Sequence, residues 1–151
     1  MNLPALGAVI ALALALRLIH VSLGVPMPLR SDASGYDAAA RRLVSAGSYA
    51  YPVGRDLWDE DVFREAAWET FVQRPANAFA MPGYPWFLAA VYRLSGTGPE
   101  RLPAVRWAQA ALGALTVALV FLIADAVLGR RAAWTAAGLN ALYPPGIWAC
   151  G

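Results

Sequence analysis

Asp32 and Asp37 stand close together where a long apolar run gives way to polar sequence. A carboxylate is the side chain that takes a proton from an attacking group, and at the start of a helix it is equally an N-cap; Ser31 and Asp32 both suit that position. Asp37 precedes Arg41 by four residues in the acid-first order that favours a surface ion pair, on the helix face opposite Tyr36, so a solvated pair is expected. Tyr36 falls one turn after Asp32 on the same face, where it packs under the carboxylate or hydrogen-bonds a substrate. Arg17 lies inside an apolar run, three residues before His20. An ionisable group within a membrane span is a functional candidate, and the alternative is a side chain that snorkels to the headgroups. His20 alone reads as a packed or interfacial histidine. Asp59, Glu60 and Asp61 are consecutive, so on a helix they point about 100° apart and do not converge on one ion. A solvated acidic face is expected there. The single cysteine, Cys150, excludes an internal disulfide framework and a cysteine-based zinc site.

The elements that must hold these residues are set by composition. The chain has 151 residues, 59% hydrophobic and 15% charged, with mean hydropathy +0.47; a soluble domain carries about 45–50% apolar and about 25% charged residues. Of 22 charged residues, 17 fall between positions 24 and 101, so a wet central block is flanked by lipid-compatible ends. This excludes a cytosolic enzyme with one core, a disordered tail and a coiled-coil rod. A net charge of +2, scattered along the chain, gives no nucleic-acid binder. The expected fold is an all-α integral membrane protein with three transmembrane helices and amphipathic interfacial helices between the first two.

The first span is expected over residues 1–24, an apolar stretch of about 23 residues or about 34 Å. A cleaved signal peptide fits less well, because a basic start is missing and the stretch exceeds the usual run of about 7 to 15 apolar residues. The second is expected over 104–128, uncharged from Trp107 to Ala124, and the third over 132–151. Pro144-Pro145 interrupts the third. From Arg130 to Tyr143 a helix rises only about 21 Å, short of the roughly 30 Å hydrocarbon core, so the prolines kink or end it within the membrane. Arg130-Arg131 in the short turn before it place that turn in the cytoplasm, which puts the N-terminus there too and residues 25–103 outside. In that block Asp32 to Ala46 reads as an amphipathic helix ended by Gly47, Asp56 to Val72 as an acidic one, and Trp86 to Leu94 as a short apolar one after the turn Met81-Pro82-Gly83-Tyr84-Pro85.

Several of these segments carry a resemblance. Arg17-Leu18 at the end of a first span, Ser31-Asp32-Ala33-Ser34-Gly35-Tyr36 opening a helix, Ala40-Arg41-Arg42-Leu43, Gly47-Ser48-Tyr49, Pro82 to Ala89, Arg106 to Ala110 and Ala141 to Pro145 follow one another in order. Together they resemble the start of the polyprenyl-phosphate-dependent membrane glycosyltransferases of the GT-C superfamily. The nearest branch holds the protein O-mannosyltransferases, the lipid A aminoarabinose transferase and the bacterial RgtA-like enzymes. The likeness covers essentially the whole chain but only the N-terminal portion of such an enzyme, and the sequence stops within an apolar stretch, so a truncation is expected.

The resemblance implies transfer of a sugar from a lipid-linked phosphate or diphosphate donor to a glycan, lipid or protein acceptor outside the cytoplasmic membrane. It makes Asp32 the general base of an inverting reaction. Tyr36 and Tyr84 would line the substrate site, and Arg17 and Arg74 are the candidate cations for the leaving phosphate. In related branches a basic residue directly precedes the Pro-Gly-Tyr-Pro turn, where this chain has Met81. Relatives often carry an adjacent acidic pair, whereas Asp32 is followed by Ala33; a lone carboxylate is a poor site for a hard divalent cation, so no metal or other cofactor is assigned. The competing reading is a small non-catalytic three-span scaffold or assembly protein. A transporter fragment fits less well, because transporter sites lie at mid-membrane and the polar residues here lie in the external block.

Overall fold

A computed structural model describes residues 3–24, 32–52, 75–77 and 80–150. Every regular element among them is helical: α1 (Leu3–Leu23), α2 (Asp32–Ala46), α3 (Gly83–Ser95), α4 (Arg101–Leu128), α5 (Arg130–Leu142) and α6 (Pro144–Trp148). The chain divides into two compact units, one of residues 1–26 and 105–151, the other of residues 27–104.

In the first unit α1 and α4 are long and apolar enough to cross a membrane. Neither has a strongly polar side, and large side chains such as Leu12, Ile19, Leu115 and Leu122 stay exposed, as suits helices whose solvent is lipid. Their inner faces and that of α5 are lined with small residues: Ala13, Ala114, Ala133, Ala137 and Ala141 are buried beside Leu6, Val117 and Phe121. Alanines four residues apart on α5 let backbones approach closely, which is how helices associate where lipid removes the hydrophobic drive. Trp134 meets Phe121 edge-on at 4.8 Å between ring centroids.

Gly129, at φ +85°, is the whole joint between α4 and α5, and Arg130 pairs with Asp125 across it at 2.8 Å. The third apolar stretch is not a single helix. Tyr143, preceding proline, takes an extended conformation (φ −67°, ψ 110°), as the proline ring demands of its neighbour. Two short helices, α5 and α6, therefore stand over the third apolar stretch, divided at the prolines. The two prolines also deprive Asn140 and Ala141 of their helical N–H partners. The Tyr143 amide donates to the Asn140 carbonyl at 3.4 Å, and Arg17 Nη1 donates to the Ala141 carbonyl at 3.5 Å.

In the second unit α2 packs on α3. Alanines make this possible: Ala38, Ala39, Ala40 and Leu43 are buried on α2, and Pro85, Leu88, Ala89 and Tyr92 on α3. Gly47, at φ +65°, ends α2 and reverses the chain, and Arg42 Nε donates to Ser48 Oγ at 3.3 Å beside the turn. Residues 48–52 then run back along α2. Tyr49 donates its hydroxyl to the Ala80 carbonyl at 2.9 Å, while the Asn77 side chain both accepts from the Tyr51 amide (3.2 Å) and donates to its carbonyl (3.1 Å). The acidic helix expected over Asp56 to Val72, with Asp59, Glu60 and Asp61, lies outside the described residues.

Candidate active site

Asp32 opens α2 and is exposed, so its carboxylate meets solvent at the positive end of the helix. Tyr36, one turn on, is half-buried and meets two further rings edge-on: Tyr51 at 5.6 Å and Tyr84 at 5.4 Å between centroids. Tyr84 stacks on Phe87 at 6.0 Å and keeps 41% of its surface exposed. The fold thus gathers Asp32, Tyr36 and Tyr84 into one aromatic-walled site, with a fourth member, Tyr51, that sequence reasoning did not single out. Tyr51 is buried and hydrogen-bonds the Asp32 side chain. The signal was Gly35, a glycine in the first turn of a helix, which marks a close approach of something else.

Asp37 corrects an expectation. It is buried, not a solvated partner of Arg41: the Tyr92 hydroxyl donates to its Oδ1 at 2.7 Å, and Arg101 donates from Nε and Nη2 to its two oxygens at 2.8 and 3.1 Å. The physical reason is that alanine on both sides of α2 lets α3 and the start of α4 cover the face that periodicity left to water. A two-pronged guanidinium and a phenol then satisfy the carboxylate. Burial pulls the Arg41 guanidinium below the usual arginine range, against the pull of Asp37 and with the push of Arg101.

Arg17 belongs to the other unit. Its side chain is 2% exposed and does not snorkel. Nη1 donates to the Ala13 and Ala141 carbonyls at 3.0 and 3.5 Å, and the guanidinium lies against Gly113, where a Cβ would fall 2.6 Å from Nε. Arg17 Nε is buried and has no hydrogen-bond partner among the described residues. Arg74 lies outside the described residues. Among the described residues no three histidine, cysteine or acidic side chains come together to hold a metal ion.

The phenols give the second unit an alkaline limit. Burial first, then the charge of Asp32, pushes Tyr51 up to about 12; burial and then Asp37 push Tyr92 up as well. Both shifts favour the neutral phenol in the fold, so their stabilisation is complete below the ordinary tyrosine value of about 10. It is lost as pH climbs from there through the folded values. Thermal unfolding of the detergent-solubilised protein should hold its midpoint up to about pH 9.5 and fall steeply by about pH 12. A midpoint flat across that range would show that the two phenols are not held neutral by the fold.

Residues 74–148 match the model of the family described as dolichyl-phosphate-mannose-protein mannosyltransferase. The match takes in Arg74, the Pro82-Gly83-Tyr84-Pro85 turn, α3, α4 and α5, and leaves Arg17, Asp32 and Tyr36 outside it. It supports a membrane glycosyltransferase related to the mannosyltransferases. No curated protein and no solved structure matches the chain.

Proposed function

We propose that the chain acts in transferring a sugar from a polyprenyl-phosphate or polyprenyl-diphosphate donor to an acceptor hydroxyl or amine on the extracytoplasmic face of the cytoplasmic membrane, with inversion at the anomeric carbon. The observation that carries this is the exposed Asp32 carboxylate at the head of α2, walled by Tyr36, Tyr51 and Tyr84. The likeness of residues 74–148 to a mannosyltransferase family supports the same chemistry.

In this reaction the acceptor attacks the anomeric carbon from the face opposite the phosphate, and Asp32 takes its proton as the new bond forms. The phosphate departs with the electrons of the old bond, so its charge grows and a cation fixed beforehand stabilises it most where water is scarce. Arg17 and Arg74, before the Pro-Gly-Tyr-Pro turn, are the cations proposed for it. Tyr36 and Tyr84 offer ring faces and hydroxyls to the sugar. Residues 25–103 form the external loop in this scheme.

Membranes from cells expressing the gene, given a polyprenyl-phosphate donor with a labelled sugar, should yield a labelled acceptor of inverted anomeric configuration. Arg17→Ala and Arg74→Ala should each weaken donor binding while the protein still inserts. Retention of configuration overturns the single-base mechanism, and unchanged donor affinity in both variants assigns the phosphate to other residues.

A further inference from the structure

Asp32 is exposed, and an exposed carboxylate rotates freely unless something holds it. A general base acts only when its lone pair is aimed at the proton it will take. The residue that can aim it comes from beyond the end of its own helix. From Ala46 back to Gly35, α2 descends about 17 Å. The extended return from Gly47 to Tyr51 covers about 13 Å, and the length of the tyrosine ring supplies the rest. The Tyr51 ring therefore arrives at the first turn of α2, and it sinks there because residue 35 has no side chain. A Cβ on Gly35 would lie 2.5 Å from Tyr51 Cζ and 2.9 Å from Cε2, with the hydroxyl closer still. No side chain other than hydrogen leaves room for the ring at that depth. The backbone of Tyr51 is fixed by the paired hydrogen bonds to Asn77, and its ring is braced by the edge of Tyr36.

We propose that Tyr51 is the positioning residue of Asp32: its hydroxyl, seated in the notch at Gly35, donates to one carboxylate oxygen and turns the other toward the acceptor. A carboxylate has two oxygens, and engaging one leaves the second free to take the proton. The burial that keeps the phenol neutral keeps it a donor through the physiological range. Precision in a reacting group comes from such a supporting contact, itself held by packing. The assignment rests on Asp32 being the base.

The test uses the full gene product in membranes, with Tyr51→Phe, Asp32→Asn and the double variant, reading kcat and donor KM separately. Tyr51→Phe keeps the ring against Tyr36 and leaves Asp32 open to water, so no buried group is orphaned and folding should survive. It should lower kcat on the order of 10- to 100-fold, the worth of a hydrogen bond to a charged group, with donor KM within about twofold. In the Asp32→Asn background the same change should cost nothing further, because the base that the phenol aims is already gone. Gly35→Ala, which evicts the phenol without removing it, should reproduce the loss of kcat. Tyr51→Phe at near-normal kcat overturns the proposal while leaving Asp32 as the base. A Tyr51→Phe loss that persists undiminished in the Asp32→Asn background overturns it too, since the tyrosine would then act independently. Near-normal transfer by Asp32→Asn alone overturns the base assignment and this one with it.

Discussion

Asp32→Asn should leave the protein inserted and helical and lower sugar transfer on the order of 100- to 10,000-fold, the usual range for loss of a general base. The substitution separates chemistry from folding because the two roles differ in size. Asparagine caps a helix about as well as aspartate. What the fold loses is the attraction between a carboxylate and the start of α2, about 0.3–1 kcal/mol at an exposed site such as this one. The expected rate loss corresponds to about 2.7–5.5 kcal/mol of barrier, which no capping effect supplies. The measurement is turnover per inserted molecule, with the amount in the membrane determined by immunoblot. Near-normal turnover at wild-type levels of inserted protein would make Asp32 a cap and nothing more.

The two long apolar helices, the α2 bounds and the break at Pro144-Pro145 were legible in the sequence because each has a local cause. An uncharged run, a glycine after the last helical turn and a paired proline act on their immediate neighbours. Three helices start ahead of the apolar segments they contain, for equally local reasons. α3 begins at Gly83, ahead of Trp86, and α4 at Arg101, ahead of residue 104, since Pro85 and Pro103 each lie in a first turn, where the missing N–H costs nothing. α5 begins at Arg130 because a single glycine at positive φ makes the whole turn.

Of the site, Asp32, Tyr36 and Tyr84 could be singled out by type and position, and the structure brings them together. Gly35 marks a close approach to α2 and Gly47 a reversal after it, but neither names Tyr51, and the true partner of Asp37 lies too far along the chain for any local pattern to show it. Arg101 meets Asp37 across 64 residues, and nothing in the Asp37-to-Arg41 spacing competes with a bidentate guanidinium once the fold has brought it near. The embedded arginine shows the same limit. Its position in a span was plain, yet its carbonyl partner exists only because Pro145 vacates it on another helix.

That buried pair yields the second large effect. Arg101→Ala should remove most of the stable, inserted protein and not merely slow it, whereas Asp32→Asn slows it without loss of protein. Deleting the guanidinium leaves Asp37 buried at 6% exposure with, among the described residues, the Tyr92 hydroxyl and the nearby Arg41 to offset its charge. Breaking a buried pair from one side costs about 3–5 kcal/mol, and Arg101, 19% exposed, sets this case toward the lower end. Against a typical total of about 5–15 kcal/mol that is enough to shift steady-state abundance severalfold. Arg101→Lys keeps the charge but not the planar fork, so it should fall between wild type and alanine. The informative comparison is Asp37→Asn with Arg101→Leu, which removes both charges together. If the cost lies in the uncompensated carboxylate, the double variant should be recovered from membranes in larger amount than Arg101→Ala. Equal losses in the two would mean that the damage comes from missing packing at the start of α4, and the pair would then be incidental to the fold.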